Sequence, residues 1–230
     1  MATWADAYVV APATANVIGK IASGIADDML TTQIMATQAP VFLCPAMNTN
    51  MYLNPITQRN MNTLRQLGYH ILEAASGSLA CGTSGIGRLP EPVDIVKWLQ
   101  FHLMKTDLLK GKTVVVTAGG TQEAIDPVRF IGNKSSGKMG YAIAEQAALA
   151  GARTILVSAP THLEVPYGVE FVPVQSACDM QKQVEAVYEE CDAVIMASAV
   201  ADFRVAEAAE RKIKKMEHMS FEFVKNPDIL

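Results

Sequence analysis

Thr113-Val-Val-Val-Thr117, a β-branched run set between polar turns, restricts what this chain can fold into more than any other segment. An uninterrupted apolar strand of this kind suits a parallel sheet covered on both faces. It is followed by Gly119-Gly120-Thr121, a long connecting stretch, and a helical pattern from about 137 to 150 that Gly151 closes as a C-terminal cap. The alternation then repeats. Strands are predicted over 154–157 and 169–174, a helix capped by Ser176 and Asp179 runs to about 190, and a strand over 193–197 ends at Ser198-Ala-Val-Ala-Asp202. Strands separated by helical segments predict an α/β fold with a doubly wound parallel sheet. Ligands on such sheets sit at the carboxyl ends of the strands, where loops here begin at Ala118, Ser158 and Ser198.

The first half follows the same grammar. Strands are expected over 7–11, 41–44 and 70–72, with helices over 13–21, 29–36 (preceded by Asp27 and Asp28), 57–67 and 93–104. Three strands make a thin sheet where roughly five or six are usual, so upstream strands or a partner at the open edge are expected. The polar, turn-rich stretch near Met104 to Gly111 reads as a linker, giving domains 1–105 and 112–230 joined by 106–111.

Composition closes several alternatives. Half the residues are apolar (50%), and 19 basic against 23 acidic side chains leave a formal charge of -4, so the chain carries no electrostatic footprint for nucleic acid. The apolar runs are too short to span a bilayer and the N-terminus has no signal-peptide pattern. Cys44, Cys81, Cys178 and Cys191 are scattered, which fits reduced thiols in a cytoplasmic protein and no structural metal site. Met29, Met35, Met180 and Met196 are expected in the core, and His70, His102, His162 and His218 share no motif.

Five stretches could carry chemistry. Asp126-Pro-Val-Arg129-Phe-Ile-Gly-Asn133-Lys-Ser135-Ser136-Gly137-Lys138-Met-Gly140 puts glycines, hydroxyls and lysines where a strand opens onto a helix N-terminus, a place suited to phosphate. It matches neither a Walker A loop nor a dinucleotide fingerprint. Ala11-Pro12-Ala13-Thr14-Ala15-Asn16 would let a planar ligand or phosphate approach a strand end; spacing alone favours an ordinary turn with Thr14 as helix cap. In Cys44-Pro45-Ala46-Met47-Asn48-Thr49-Asn50 an asparagine amide can hold a carboxylate without adding charge, and turn formation again competes. Ser76 to Arg88, rich in Gly and Ser, reads as a flexible lid whose Cys81 is either a proton donor or an inert small side chain. Lys212, Lys214 and Lys215, ahead of Val224-Lys225-Asn226-Pro227-Asp228-Ile229-Leu230, can neutralise a triphosphate or form a solvated run.

Together these motifs resemble the bifunctional coenzyme A biosynthesis family, in which a phosphopantothenoylcysteine decarboxylase is joined to a phosphopantothenate–cysteine ligase. Pro45-Ala46-Met47-Asn48 and Ala80-Cys81-Gly82, combined with the stretch from Asp126 to Gly140, carry the likeness, which spans nearly the whole chain. It implies a flavodoxin-like domain followed by a Rossmann-like one. In the first, Ala11, Pro12, Ala13, Thr14 and Asn16 would lie against FMN, Asn48 would hold the substrate carboxylate and Cys81 would donate the proton. The implied chemistry is flavin oxidation of the substrate thiol, loss of carbon dioxide, and reduction of the resulting enethiol.

In the second domain the resemblance implies transfer of CMP from CTP to 4′-phosphopantothenate, then attack by cysteine, with Mg²⁺ and lysine neutralising charge. Asn133 would bind the acyl intermediate and Lys212 the triphosphate. Met196, Ala197, Ser198, Asp202, Pro227, Asp228, Ile229 and Leu230 would line the CTP site, with Gly119, Ser135, Ser136 and Gly137 shaping a phosphate pocket. Small-molecule substrates and a homo-oligomer follow from the same likeness.

The family places a catalytic histidine and early FMN-contacting strands upstream of Trp4-Ala5-Asp6, and further sheet beyond Leu230. A chain lacking both ends, weak as a decarboxylase and incomplete as a ligase, is therefore expected. Two other classes compete: a non-enzymatic flavodoxin-like binding subunit over 1–105, and a nicotinamide-dependent oxidoreductase. The ligase-like second half argues against the former. The lack of an acidic residue after Ser158-Ala159-Pro160 argues against the latter.

Overall fold

A computed structural model describes residues 2–78, 84–214 and 218–229. The chain divides into two compact units, Met1–Gln100 and Phe101–Leu230. Cys81, Lys215 and Leu230, singled out above, lie outside the described residues.

The first unit is built on a parallel sheet of order β1-β2-β3, from β1 (Tyr8–Ala13), β2 (Val41–Pro45) and β3 (His70–Ile71). Helices α1 (Ala15–Ala22) and α2 (Met29–Ala36) lie between β1 and β2, and α3 (Thr49–Leu53) and α4 (Pro55–Gln66) between β2 and β3. The hairpin β4 (Ala75–Ser78) and β5 (Ser84–Arg88) and helix α5 (Pro92–Met104) follow. Alternation along β2 sets the layers. Val41 and Leu43 face a core with Ile18, Ile34, Met61 and Leu64, whereas Phe42 and Cys44 pack against Ile95 and Trp98 of α5. The sheet has the three expected strands, and Val9 on its edge strand β1 is 43% exposed.

In the second unit β6 (Thr113–Ala118) leads to a hairpin, β7 (Gln122–Ala124) and β8 (Phe130–Gly132), then helix α6 (Lys138–Leu149). Strands β9 (Arg153–Ser158) and β10 (Val169–Pro173), helix α7 (Ala177–Tyr188) and strand β11 (Ala193–Met196) come next. A second hairpin, β12 (Phe203–Val205) and β13 (Phe223–Lys225), completes it. The parallel sheet has the order β10-β9-β6-β11. Val114 and Val116 pack under α6 with Tyr141 and Ala144, while Val115 packs under α7 with Met180 and Val184. Helices therefore cover both faces, as a doubly wound sheet requires.

Most predicted elements form within two residues of their expected bounds. Ser176 and Asp179 make a reciprocal capping box on α7, and Gly151 follows the Ala150 cap with φ 95. The differences have physical causes. The Gly/Ser stretch read as a flexible lid has paired arms: β4 and β5 hydrogen-bond antiparallel with Gly77 opposite Gly85 and a register irregularity between Ala75 and Ser76. Met29 and Met35 are exposed at 70% and 54%, since α2 turns only Leu30, Thr31 and Ile34 inward; Met180 is buried as expected. The helix expected to start at 57 begins at Pro55, with Asn54 as its cap, and a separate short helix precedes it. Among the described residues no helix is long and apolar enough to cross a membrane.

Candidate functional site

In the first unit three segments converge at the carboxyl ends of β1 and β2. The Ala46 N–H donates to the Ala13 carbonyl (3.1 Å), and the Met47 N–H donates to the Gly87 carbonyl on β5 (2.9 Å). Gly87 has φ 128, and a Cβ there would stand 2.3 Å from the Met47 carbonyl oxygen, so only glycine permits this approach. The strand-end loop bearing Asn48 is thereby tied to β5.

Asn48 takes the turn-forming role weighed for it. Its side-chain oxygen accepts the Asn50 N–H at 2.9 Å and caps α3, which fixes the direction of the amide. Thr14 likewise caps α1 through the Val17 N–H (3.3 Å). Ala11, Pro12, Thr14 and Asn16 are exposed at the strand end, while Ala13 is fully buried. Asn16, with Lys20, Asn54 and Arg59, lines a groove of about 620 Å³; Ala11 to Thr14 do not. The Thr49 hydroxyl, pressed beneath Gly85, is buried with no hydrogen-bond partner among the described residues. Burial pushes the Cys44 thiol up to about 11, which keeps it protonated and leaves it a packing residue.

In the second unit the order β10-β9-β6-β11 reverses direction between β6 and β11, which is where open α/β sheets form a ligand crevice. The loops leaving those strands are stitched together. The Ala199 N–H donates to the Gly119 carbonyl (2.8 Å), the Thr121 N–H donates to the Ala199 carbonyl (3.2 Å), and the Ala201 N–H donates to the buried Thr121 hydroxyl (2.9 Å). Beside them a pocket of about 350 Å³ is lined by Met196, Ser198, Asp202, Pro227, Asp228 and Ile229, together with Asn226. Six residues picked from two distant motifs thus share one cavity. Ala197 lies behind it, donating its N–H to the Thr117 hydroxyl at 3.2 Å.

Asn133 reaches the same loop, its amide donating to the Val200 carbonyl at 2.9 Å. Gly119, Gly120 and Gly137 form a close-packed corner. A Cβ on Gly120 would meet the Asn133 carbonyl oxygen at 2.5 Å, and one on Gly137 the Thr161 methyl at 2.7 Å. The Ser135 hydroxyl accepts the Gly137 N–H (3.3 Å), whereas Ser136 is exposed. Lys212 is exposed and is not part of the pocket lining.

Two residues were not assigned roles from the sequence. Asn226 is 5% exposed; its amide donates to the Ala201 carbonyl (2.7 Å) and accepts from Arg204 (2.9 Å), holding the Pro227-Asp228 turn against the pocket floor. Asp126 has a fully buried carboxylate facing Arg129, whose guanidinium holds it well below the usual carboxylate range. The only sequence signal for either was its place in a quoted motif.

The fold and these strand-end sites define a class: an α/β protein of two parallel-sheet units, each with its candidate site where strands β1 and β2, or β6 and β11, release their loops. The chain belongs to the DNA/pantothenate metabolism flavoprotein family, matching that family's C-terminal domain over residues 109–230 and the Flavoprotein family over residues 1–104. It is 54% identical over 233 residues to the coenzyme A biosynthesis bifunctional protein CoaBC of Bacillus subtilis (strain 168), covering 100% of this chain and 57% of that protein. It is 46% identical to the CoaBC of Vibrio cholerae serotype O1, covering 100% of this chain and 58% of that protein. The chain therefore spans less than two thirds of these relatives' length. A solved C-terminal domain of a CoaBC protein is 46% identical, with TM-score 0.48 over 54% of this chain and 58% of that one. The resemblance drawn from the motifs is borne out at the level of the family.

Proposed function

We propose that the chain takes part in coenzyme A biosynthesis, joining cysteine to 4′-phosphopantothenate with CTP and then decarboxylating the product. Residues 1–105 would form the flavin-dependent unit and 112–230 the ligase unit, joined by 106–111. The observation that carries the decarboxylase reading is the Met47–Gly87 hydrogen bond, which brings the loop of Asn48 against β5, the strand that follows Cys81 in the sequence.

FMN fits the strand-end loop: Ala11, Pro12, Thr14 and Asn16 offer small or amide side chains exposed beside the Ala13–Ala46 hydrogen bond. When bound, FMN would supply both the two-electron oxidation of the substrate thiol that makes carbon dioxide loss easy and the return of those two electrons to the resulting enethiol. Asn48, which caps α3 through its side-chain oxygen, would meet the substrate carboxylate through its amide. That contact orients the carboxylate without a charge that would oppose its departure. Cys81 then delivers the proton to carbon. The same likeness supports a homo-oligomer.

In the second unit the switch-point pocket suits the nucleotide, with Ser198 and Asp228 offering polar contacts to base and ribose. The 4′-phosphopantothenate carboxylate attacks the α-phosphorus, pyrophosphate leaves, and the cysteine amine then displaces CMP. Asn133 holds the acyl-cytidylate, Lys212 meets the triphosphate, and Gly119, Ser135, Ser136 and Gly137 shape the phosphate corner. Among the described residues no three acidic, histidine or cysteine side chains cluster, so Mg²⁺ would be carried largely on the triphosphate oxygens, as is common for this ion.

The test is direct. The full chain should release carbon dioxide from phosphopantothenoylcysteine in the presence of FMN, and pyrophosphate from CTP plus 4′-phosphopantothenate. Asn48→Asp, which sets like charge against the carboxylate, should slow carbon dioxide release roughly 100-fold and leave pyrophosphate release unchanged. Tight NAD(P)H binding with no response to CTP would overturn the ligase assignment.

A further inference from the structure

We propose that Asp126 and Arg129 form a latch that positions the backbone beside Lys212, so that this lysine is aimed before nucleotide arrives. The inference rests on the ligase reading above. The Asp126 carboxylate accepts the Val128 and Arg129 N–H groups on Oδ1 (both 2.9 Å). On Oδ2 it takes the Arg129 Nε (3.0 Å) and Nη2 (2.5 Å), and the Ile213 N–H at 3.1 Å.

Four of these five bonds are local to the turn and would hold it without help. The fifth comes from 87 residues away, from the residue after Lys212. The Arg129 Nη2 also donates to the Ile213 carbonyl at 3.4 Å, so both backbone groups of Ile213 are gripped by one ion pair. A third anchor lies upstream, where the Ala209 N–H donates to the Ile125 carbonyl at 2.9 Å. The segment 209–213 is therefore pinned at both ends to the Ile125–Arg129 turn, with Lys212 just inside the second pin.

The chemistry explains why such a device is useful. Lysine is a point charge on a four-carbon stem with much rotamer freedom, and it contributes to a transition state only when its root is fixed. A buried carboxylate shared between a guanidinium and a backbone N–H is a directional anchor, because charge-assisted bonds are short and strong. The ion pair also sits in the same connecting stretch as Asn133, so the residue assigned to the acyl group and the residue assigned to the triphosphate hang from one continuous segment.

The test is a double-mutant cycle with amide exchange, both on the full chain. Asp126→Asn should lower kcat for CTP-dependent pyrophosphate release by about 100-fold with KM for 4′-phosphopantothenate unchanged. In a Lys212→Ala background the same change should cost less than about twofold, because its effect passes through Lys212. Ile213→Pro, which deletes the donated N–H without touching the ion pair, should reproduce the kcat loss if Asp126→Asn proves too unstable to assay. Amide exchange over 209–214 should quicken in Asp126→Asn without nucleotide. Unchanged exchange, or kcat losses that multiply in the double mutant, would overturn the latch. If the parent chain neither binds CTP nor turns it over, the ligase reading fails instead, and exchange over 209–214 alone decides whether the anchor exists.

Discussion

At the scale of single residues, side chains that close a local hydrogen-bond circuit were the most legible. Asp28 was read as a helix-start residue and is the N-cap of α2, accepting the Thr31 N–H at 2.8 Å and pairing with Lys20 at 3.1 Å. The Thr31 bonds, then Lys20, lower its carboxyl from the model-compound value of 3.8 to about 2. A carboxyl depressed in the folded state stabilises the fold above its unfolded pKa and loses that contribution as pH falls through the folded one. The stability difference between the parent and Asp28→Ala, measured by urea titration, should therefore shrink as pH drops from about 4 to about 2. A difference constant across that window would contradict the assignment. Asp126 was not legible as an anchor in this way, because its decisive partner, the Ile213 N–H, lies far along the chain and spacing says nothing about such a meeting.

Elements with strong periodicity were likewise legible. Those created by pairing were not. Val114, Val115 and Val116 alternate between two helix-covered faces just as a buried parallel strand should. The hairpins β7–β8 and β12–β13, by contrast, have strands of three residues each, too short to show alternation, and exist because a partner strand supplies the hydrogen bonds. The N-terminus of α6, at the end of the Asp126–Gly140 stretch, owes its position to Gly140, where a Cβ would lie 2.6 Å from the Ala118 Cβ and 2.7 Å from the Thr117 carbonyl oxygen. Gly140→Ala gains up to about 1 kcal/mol of helix propensity. It also drives α6 off β6, where backbone cannot yield, at roughly 1–3 kcal/mol. The second effect wins, so the urea midpoint should fall; a rise would mean that α6 does not pack against β6 this closely.

Across the whole molecule, the two strand-end sites belong to separate compact units, and their ligands should leave separate footprints. CTP should slow amide exchange at 196–202 and 224–229 while leaving 11–16 and 45–48 unchanged, and FMN should do the reverse. Protection of both sets by either ligand would refute the division of labour. The sequence by itself determined the α/β class, the strands of the two parallel sheets, several helix caps and the family, because these follow from short-range periodicity, capping chemistry and contiguous motifs. The resemblance implied that Ser198, Asp202, Pro227 and Asp228 line one site; only the tertiary structure decided that β6 and β11 are neighbours and that these four residues share a pocket at their ends. Strand order is set by which buried faces and crossovers close together in space. No local pattern along the chain encodes that choice.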